Sequence, residues 1–191
     1  MSAILLTPPA LEPVSLADMK IFLRVAHDDD DDVIAALIAA ARVHVEAQTR
    51  RALIAQTWRL VRDVWPARGR LPLLPAPLIE ITAIRVFDAD GAPQLLDVDD
   101  FAIDTVSAPA VLAFGRGMPP VPGKLAAGVE IDLSAGYGDE PEDVPAPLSQ
   151  AIRMLVAHWY ENRGVIAASG EVASMPASVS SLIAPFRVLS L

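Results

Sequence analysis

Cysteine is absent from the 191-residue chain. That removes disulfides, thiolate metal ligands and cysteine nucleophiles together, and a reducing cytoplasm is the natural place of synthesis. Aromatic residues are scarce, at 5%. Basic residues are few and scattered: 15 Lys plus Arg stand against 24 Asp plus Glu, for a net charge of −9. Gripping phosphates takes clustered cations that release counterions, so tight nucleic-acid binding is disfavoured. Passage of DNA past an acidic wall, which repels it and prevents sticking, remains compatible with this charge. No apolar run reaches the roughly 18 residues needed to span a bilayer. No cationic stretch precedes the short apolar segment within Met1–Leu11, as a secretory signal requires. No membrane partner is expected.

Signatures of chemistry fail at named positions. Asp28–Asp32 suggests a calcium loop, but an EF-hand counted from Asp28 needs Gly at its sixth position and Glu at its twelfth, where Val33 and Ala39 stand. Gly123-Lys124 lacks both the earlier Gly and the following Ser or Thr of a phosphate-binding loop; Met118 and Leu125 occupy those places. His27, His44 and His158 have no second histidine at metal-ligand spacing. Ser169-Gly170 lacks the preceding glycine of a nucleophile elbow. The expectation is a non-enzyme, without metal or cofactor.

What is present is a globular composition, 53% hydrophobic, able to bury a core. Residues 1–14 read as extended, with Pro8, Pro9 and Pro13 opposing a helix. Ser15 caps a helix over Leu16–Val25, with Asp18 at the acidic position of a capping box. The acidic run leads into a second helix, about Val33–Arg50, whose apolar residues Ile34, Leu37, Ile38, Ala41 and Val45 follow the 3.6-residue period. The period then changes. Strands are predicted at Gln56–Val64, Leu78–Asp88, Pro93–Leu96, Phe101–Thr105, Val111–Phe114 and Val129–Leu133. A Pro-rich loop spans Pro66–Pro77, an Asp90-Gly91 hairpin turn follows the second strand, and a Gly/Pro-rich loop spans Gly115–Gly128. A last helix, from Pro147 to about Arg163, carries the stripe Leu148, Ile152, Leu155 and Trp159 and stops at Gly164. The expected fold class is α+β: a small helical bundle (residues 1–54 and 138–175), an inserted β-rich subdomain (55–137) and an extended C-terminal arm (176–191).

Two features exceed the needs of a core. The helix end His158-Trp159-Tyr160-Glu161-Asn162-Arg163 holds the residue types enriched at interface hot spots. Trp159, Tyr160 and Arg163 fit a subunit interface as well as a core boundary. The arm is apolar but shows no element of its own to pack into. Val179, Leu182, Ile183, Pro185, Phe186, Arg187, Val188 and Leu189 either dock back on the helices or enter a partner, and entry into a partner is the reading preferred here.

The order of parts resembles the head–tail connector, or adaptor, proteins of long-tailed bacteriophages and phage-derived gene transfer agents. Leu5-Leu6-Thr7-Pro8-Pro9 with Pro13-Val14-Ser15-Leu16-Ala17-Asp18-Met19-Lys20 and Leu23 is similar to the family's opening, P-V-S-L-A-E-A-K-x-x-L. Val33–Arg42 after the acidic run, Val144-Pro145 with Pro147–Ile152 and His158–Arg163, and Pro176–Val179 with Leu182–Arg187 resemble its later helices and tail. The resemblance implies a dodecameric ring of self-associated subunits at the neck of a virion or phage-like particle. Its arm would dock into the portal protein, its other side would receive a stopper or tail-completion protein, and DNA would pass through without sequence recognition. A second reading, from a different class, makes the insert a ligand- or glycan-binding module of a virion protein, on the strength of Trp58, Trp65 and the 115–128 loop.

Overall fold

The computed structural model describes residues 2–115, 117–162 and 175–189. The chain divides into two compact units, Met1–Ala10 with Ala55–Tyr137, and Leu11–Ile54 with Gly138–Leu191.

The first unit contains the strands β1 (Ser2–Thr7), β2 (Gln56–Arg62), β3 (Arg70–Pro72), β4 (Leu78–Phe87), β5 (Pro93–Leu96), β6 (Phe101–Asp104), β7 (Val111–Phe114) and β8 (Val129–Ala135). They build an antiparallel five-stranded sheet in the order β1-β2-β8-β4-β5 and a three-stranded sheet in the order β3-β7-β6. Period-two alternation in β8 sets the two faces of the larger sheet. Val129, Ile131, Leu133 and Ala135 are buried, with Leu60 of β2 and Ile84 of β4 flanking Ile131 on either side. The other face carries Glu130 and Asp132, and Arg59 lies directly opposite Asp132. The β4–β5 hairpin turns where Asp90-Gly91 predicts it. Asp88 Oδ1 accepts from the backbone N–H groups of Asp90 and Ala92, and Gly91 adopts φ +84°, which a side chain would resist.

The second unit holds α1 (Leu16–Leu23), α2 (Asp31–Thr49), α3 (Ala146–Glu161) and α4 (Ala177–Ile183). Ser15 caps α1, its hydroxyl accepting from Asp18 N at 3.1 Å. The periodic stripes Ile34, Ile38, Ala41 and Val45 of α2 and Leu148, Ile152 and Leu155 of α3 are buried, and these two helices pack on each other from opposite sides of the insert in sequence. Arg50 ends α2 in the left-handed conformation.

Three expectations need correction. Residues 1–14 are not merely extended: Ser2–Thr7 forms β1, and Met1–Ala10 clusters with the sheets rather than with the helices. The flanking prolines hid a short uncharged strand that needs a distant partner, β2, to form. The 66–77 loop contains β3, which has only three residues and is fixed by β7. The C-terminal arm has an element of its own. Ala177–Ile183 is helical, a 3-10 turn follows at Ala184–Phe186, and α4 packs on α3 and α2.

On the polar sheet face Asp132 is 6% exposed and takes a two-pronged contact from Arg59, at 2.6 and 2.9 Å, and a third from Arg85 at 2.6 Å. Arg59, and after it Arg85, holds the Asp132 carboxyl below the usual carboxylate range against the opposing effect of burial. A depressed folded pKa stabilises above the unfolded value, and that contribution fades as pH falls through the folded value. Asp132→Ala is expected to cost about 2 kcal/mol at pH 7, since both arginines keep some solvent contact. In denaturant titrations the gap to the parent should narrow below about pH 4. A gap independent of pH would contradict the assignment.

Candidate interaction surfaces

In the helical unit the end of α3 is tied to α2 at two places. Trp159 continues the apolar stripe as a half-buried residue and meets His44 edge-on, with ring centroids 6.0 Å apart. Tyr160 Oη donates to Asp30 Oδ2 at the N-terminal boundary of α2. Asn162 Nδ2 donates to the His158 carbonyl at 2.7 Å, closing the helix. Both described residues of the expected subunit interface therefore have partners inside their own unit, while part of each side chain stays accessible. Arg163 lies outside the described residues.

The acidic run is partly neutralised. Lys20 of α1 reaches Asp28 and Asp31, each at 2.6 Å. Hydrogen bonding to Asp28 and then Asp31 raises the Lys20 pKa, and the same contact lowers that of Asp28. The run thus pins α1 to the start of α2 and places Asp31 and Asp32 in the first turn, where the helix dipole favours them. Among the described residues no group of three or more His, Asp or Glu could hold a metal, and no helix is long and apolar enough to cross a membrane.

The C-terminal residues split into two sets. Val179 and Ile183 are fully buried and Val188 nearly so. The segment is bonded back to the end of α2: Val188 N donates to the Thr49 carbonyl at 2.9 Å, and Arg51 Nε donates to the Phe186 carbonyl at 2.7 Å. Leu182 and Phe186 are half-buried, Pro185 and Arg187 are exposed, and Leu189 is 83% exposed. Val179, Ile183 and Val188 are therefore anchors of the chain's own core rather than free contacts for a partner. The sequence could not separate the sets, because a seven-residue helix holding two buried residues gives almost no periodic signal.

In the β unit, Trp65 packs on Phe101 and Phe114, with centroids 5.8 and 5.6 Å away, and its indole N–H donates to the Pro120 carbonyl. The indole nitrogen of Trp58 is buried. Of the two tryptophans that motivate a ligand-binding insert, Trp65 is thus engaged internally, while the buried Trp58 indole N–H meets no hydrogen-bond acceptor among the described residues. Beside Trp65 lies an open cleft of about 600 Å³, lined by Val64, Phe114, Met118 and Val121. The surface that sequence reasoning missed is β1, exposed along its whole length and apolar at Ile4, Leu5 and Leu6. An uncharged six-residue run ahead of Pro8 is the only sequence signal for it.

The profile of the family described as "Phage gp6-like head-tail connector protein" matches residues 13–78 and 123–187. Three solved chains are similar over nearly their full lengths. One belongs to a structure described as "Neck of empty GTA particle computed with C6 symmetry", with 27% identity, a TM-score of 0.81, and 100% of this chain and 97% of that chain covered. A second, from "Virion of native gene transfer agent (GTA) particle", has 26% identity, a TM-score of 0.82 and the same coverage. A third, from "Neck of native GTA particle computed with C12 symmetry", has 28% identity, a TM-score of 0.74, and 98% and 97% coverage. No protein of curated function matches the sequence.

The two sets of C-terminal residues should separate by stability. Ile183→Ala is expected to cost about 2–4 kcal/mol by cavity formation, and Leu189→Ala less than about 0.5 kcal/mol. Equal losses in urea denaturation would contradict the division.

Proposed function

This chain belongs to the phage gp6-like head–tail connector family, and from that membership we propose that it forms the ring that joins portal and stopper in the neck of a phage-like particle. Its role is structural, and its place is the neck of the particle. The observation that carries this reading is the pairing of two likenesses. The family profile matches on both sides of the insert, and the neck chains align with the insert included. The C6 and C12 symmetries of those necks support a ring of identical subunits assembled with other virion proteins. The net charge of −9 suits a channel through which DNA slides without sticking.

Within this reading the portal contact falls on the exposed part of the arm. Pro185, Arg187 and Leu189 are exposed and can engage it, Arg187 while also bonding Gln48 of α2, with Leu182 and Phe186 offering partly covered apolar surface. Val179, Ile183 and Val188 hold the arm in place from below. The accessible parts of Trp159 and Tyr160, together with Arg163, form a subunit contact. The opposite side of the ring receives the stopper.

The arm can be tested without disturbing the core. Deleting residues 189–191 and replacing Pro185 and Arg187 by Ala and Glu should leave the thermal transition of the free protein within a few degrees of the parent. Electron micrographs of particles made with this variant should show filled heads without tails. Normal tailed particles would overturn the assignment of the arm.

A further inference from the structure

Resting on the connector reading, we propose that neighbouring copies join edge to edge through the larger sheet, the outer strand β1 of one copy pairing with the outer strand β5 of the next.

β1 and β5 are the two outer strands of the five-stranded sheet. Exposed strand edges template the pairing of further chains, and proteins ordinarily blunt them with charge or proline. The smaller sheet follows that rule: its outer strands carry Arg70 and Pro72 in β3 and Asp104 in β6. The larger sheet does not. Ser2–Thr7 contains neither charge nor proline, and Pro93–Leu96 contains no charge, its proline standing at the first position, where a strand tolerates it. Every residue of β1 is exposed, as are the first three of β5.

The cross-strand register sharpens the match. Ile4 is opposite Arg59, Arg59 is opposite Asp132, and Leu95 is opposite Arg85, which itself bonds Asp132. Ile4 and Leu95 therefore stand on the same, ion-paired face of the sheet, at its two rims. They are 48% and 69% exposed. Setting β1 of one copy beside β5 of the next brings these two side chains together, in the register that pairs apolar with apolar. The two edges differ, so the contact is head-to-tail and repeats around a ring, whereas β1 against β1 would end at a two-fold dimer. The C6 and C12 symmetries of the similar necks call for a contact of the head-to-tail kind.

The absence of cysteine makes the test clean. Full-length chains carrying Ile4→Cys and Leu95→Cys together, assembled into particles and mildly oxidised, should run as a ladder of covalent multimers on denaturing gels. Each single variant should stay monomeric, and particles built from a mixture of the two singles should stop at dimers. Necks that contain the ring but give no cross-link, or dimers from Ile4→Cys alone, overturn the seam and leave the connector reading standing. Particles whose necks lack this chain overturn both. As a second arm, Ile4→Lys with Leu95→Lys should abolish ring assembly, and Ile4→Lys with Leu95→Glu should restore it. Intact rings in the doubly lysine-substituted chain would contradict the proposal.

Discussion

The pairing of β2 with β8 is the constraint on which the molecule depends. Gln56, the first residue of β2, lies opposite Ala135, the last of β8. A long excursion of chain therefore leaves and returns at one place. The entropy of closing so long a loop grows only logarithmically with its length, and one ladder of backbone bonds with a buried apolar face offsets it. Because the ends of the insert meet, α2 and α3 can share a core although the whole insert separates them in sequence. The family profile reflects the same logic. Its two matched stretches, 13–78 and 123–187, contain the helices together with β2 and β8, and the unmatched stretch between them spans most of β4 and all of β5 to β7. The matched part holds the four helices, the ladder that closes the insert, and β3.

Much of this was legible from the residues. Long periodic stripes, as in Ile34–Val45 and Leu148–Trp159, locate buried helix faces because a dozen residues average out local accidents. Ser15 and the Asp90-Gly91 turn are legible because each acts through its own side chain or backbone conformation within a few residues. What was not legible depends on distant partners. β1, β3 and α4 are short, and each is specified by a surface made elsewhere: β2 for β1, β7 for β3, and the faces of α2 and α3 for α4. The same limit applied to the surfaces. Trp159 and Tyr160 stand out by type, but only the fold shows that His44 and Asp30 already engage them. The arm stands out as apolar, but burial alone separates Ile183 from Leu189.

The two units present different kinds of surface. The helical unit ends in an arm anchored by buried valine and isoleucine, with exposed residues alternating along it as far as Leu189. The β unit holds its polar sheet face together with the Arg59–Asp132–Arg85 contacts and leaves apolar residues at the rims. A connector has to hold its own copies in register while offering separate contacts to proteins above and below. In the proposed reading, the rims of the sheet serve the contact between copies and the anchored arm serves the contact with the portal.

The central claim is tested most directly by cryo-electron microscopy of particles made with this chain, with symmetry averaging about the axis of the neck. The account predicts a closed ring of this chain at the head–tail junction, with the residue 185–189 tip turned toward the portal. Density for the chain elsewhere in the particle, or as isolated copies outside a ring, would contradict it.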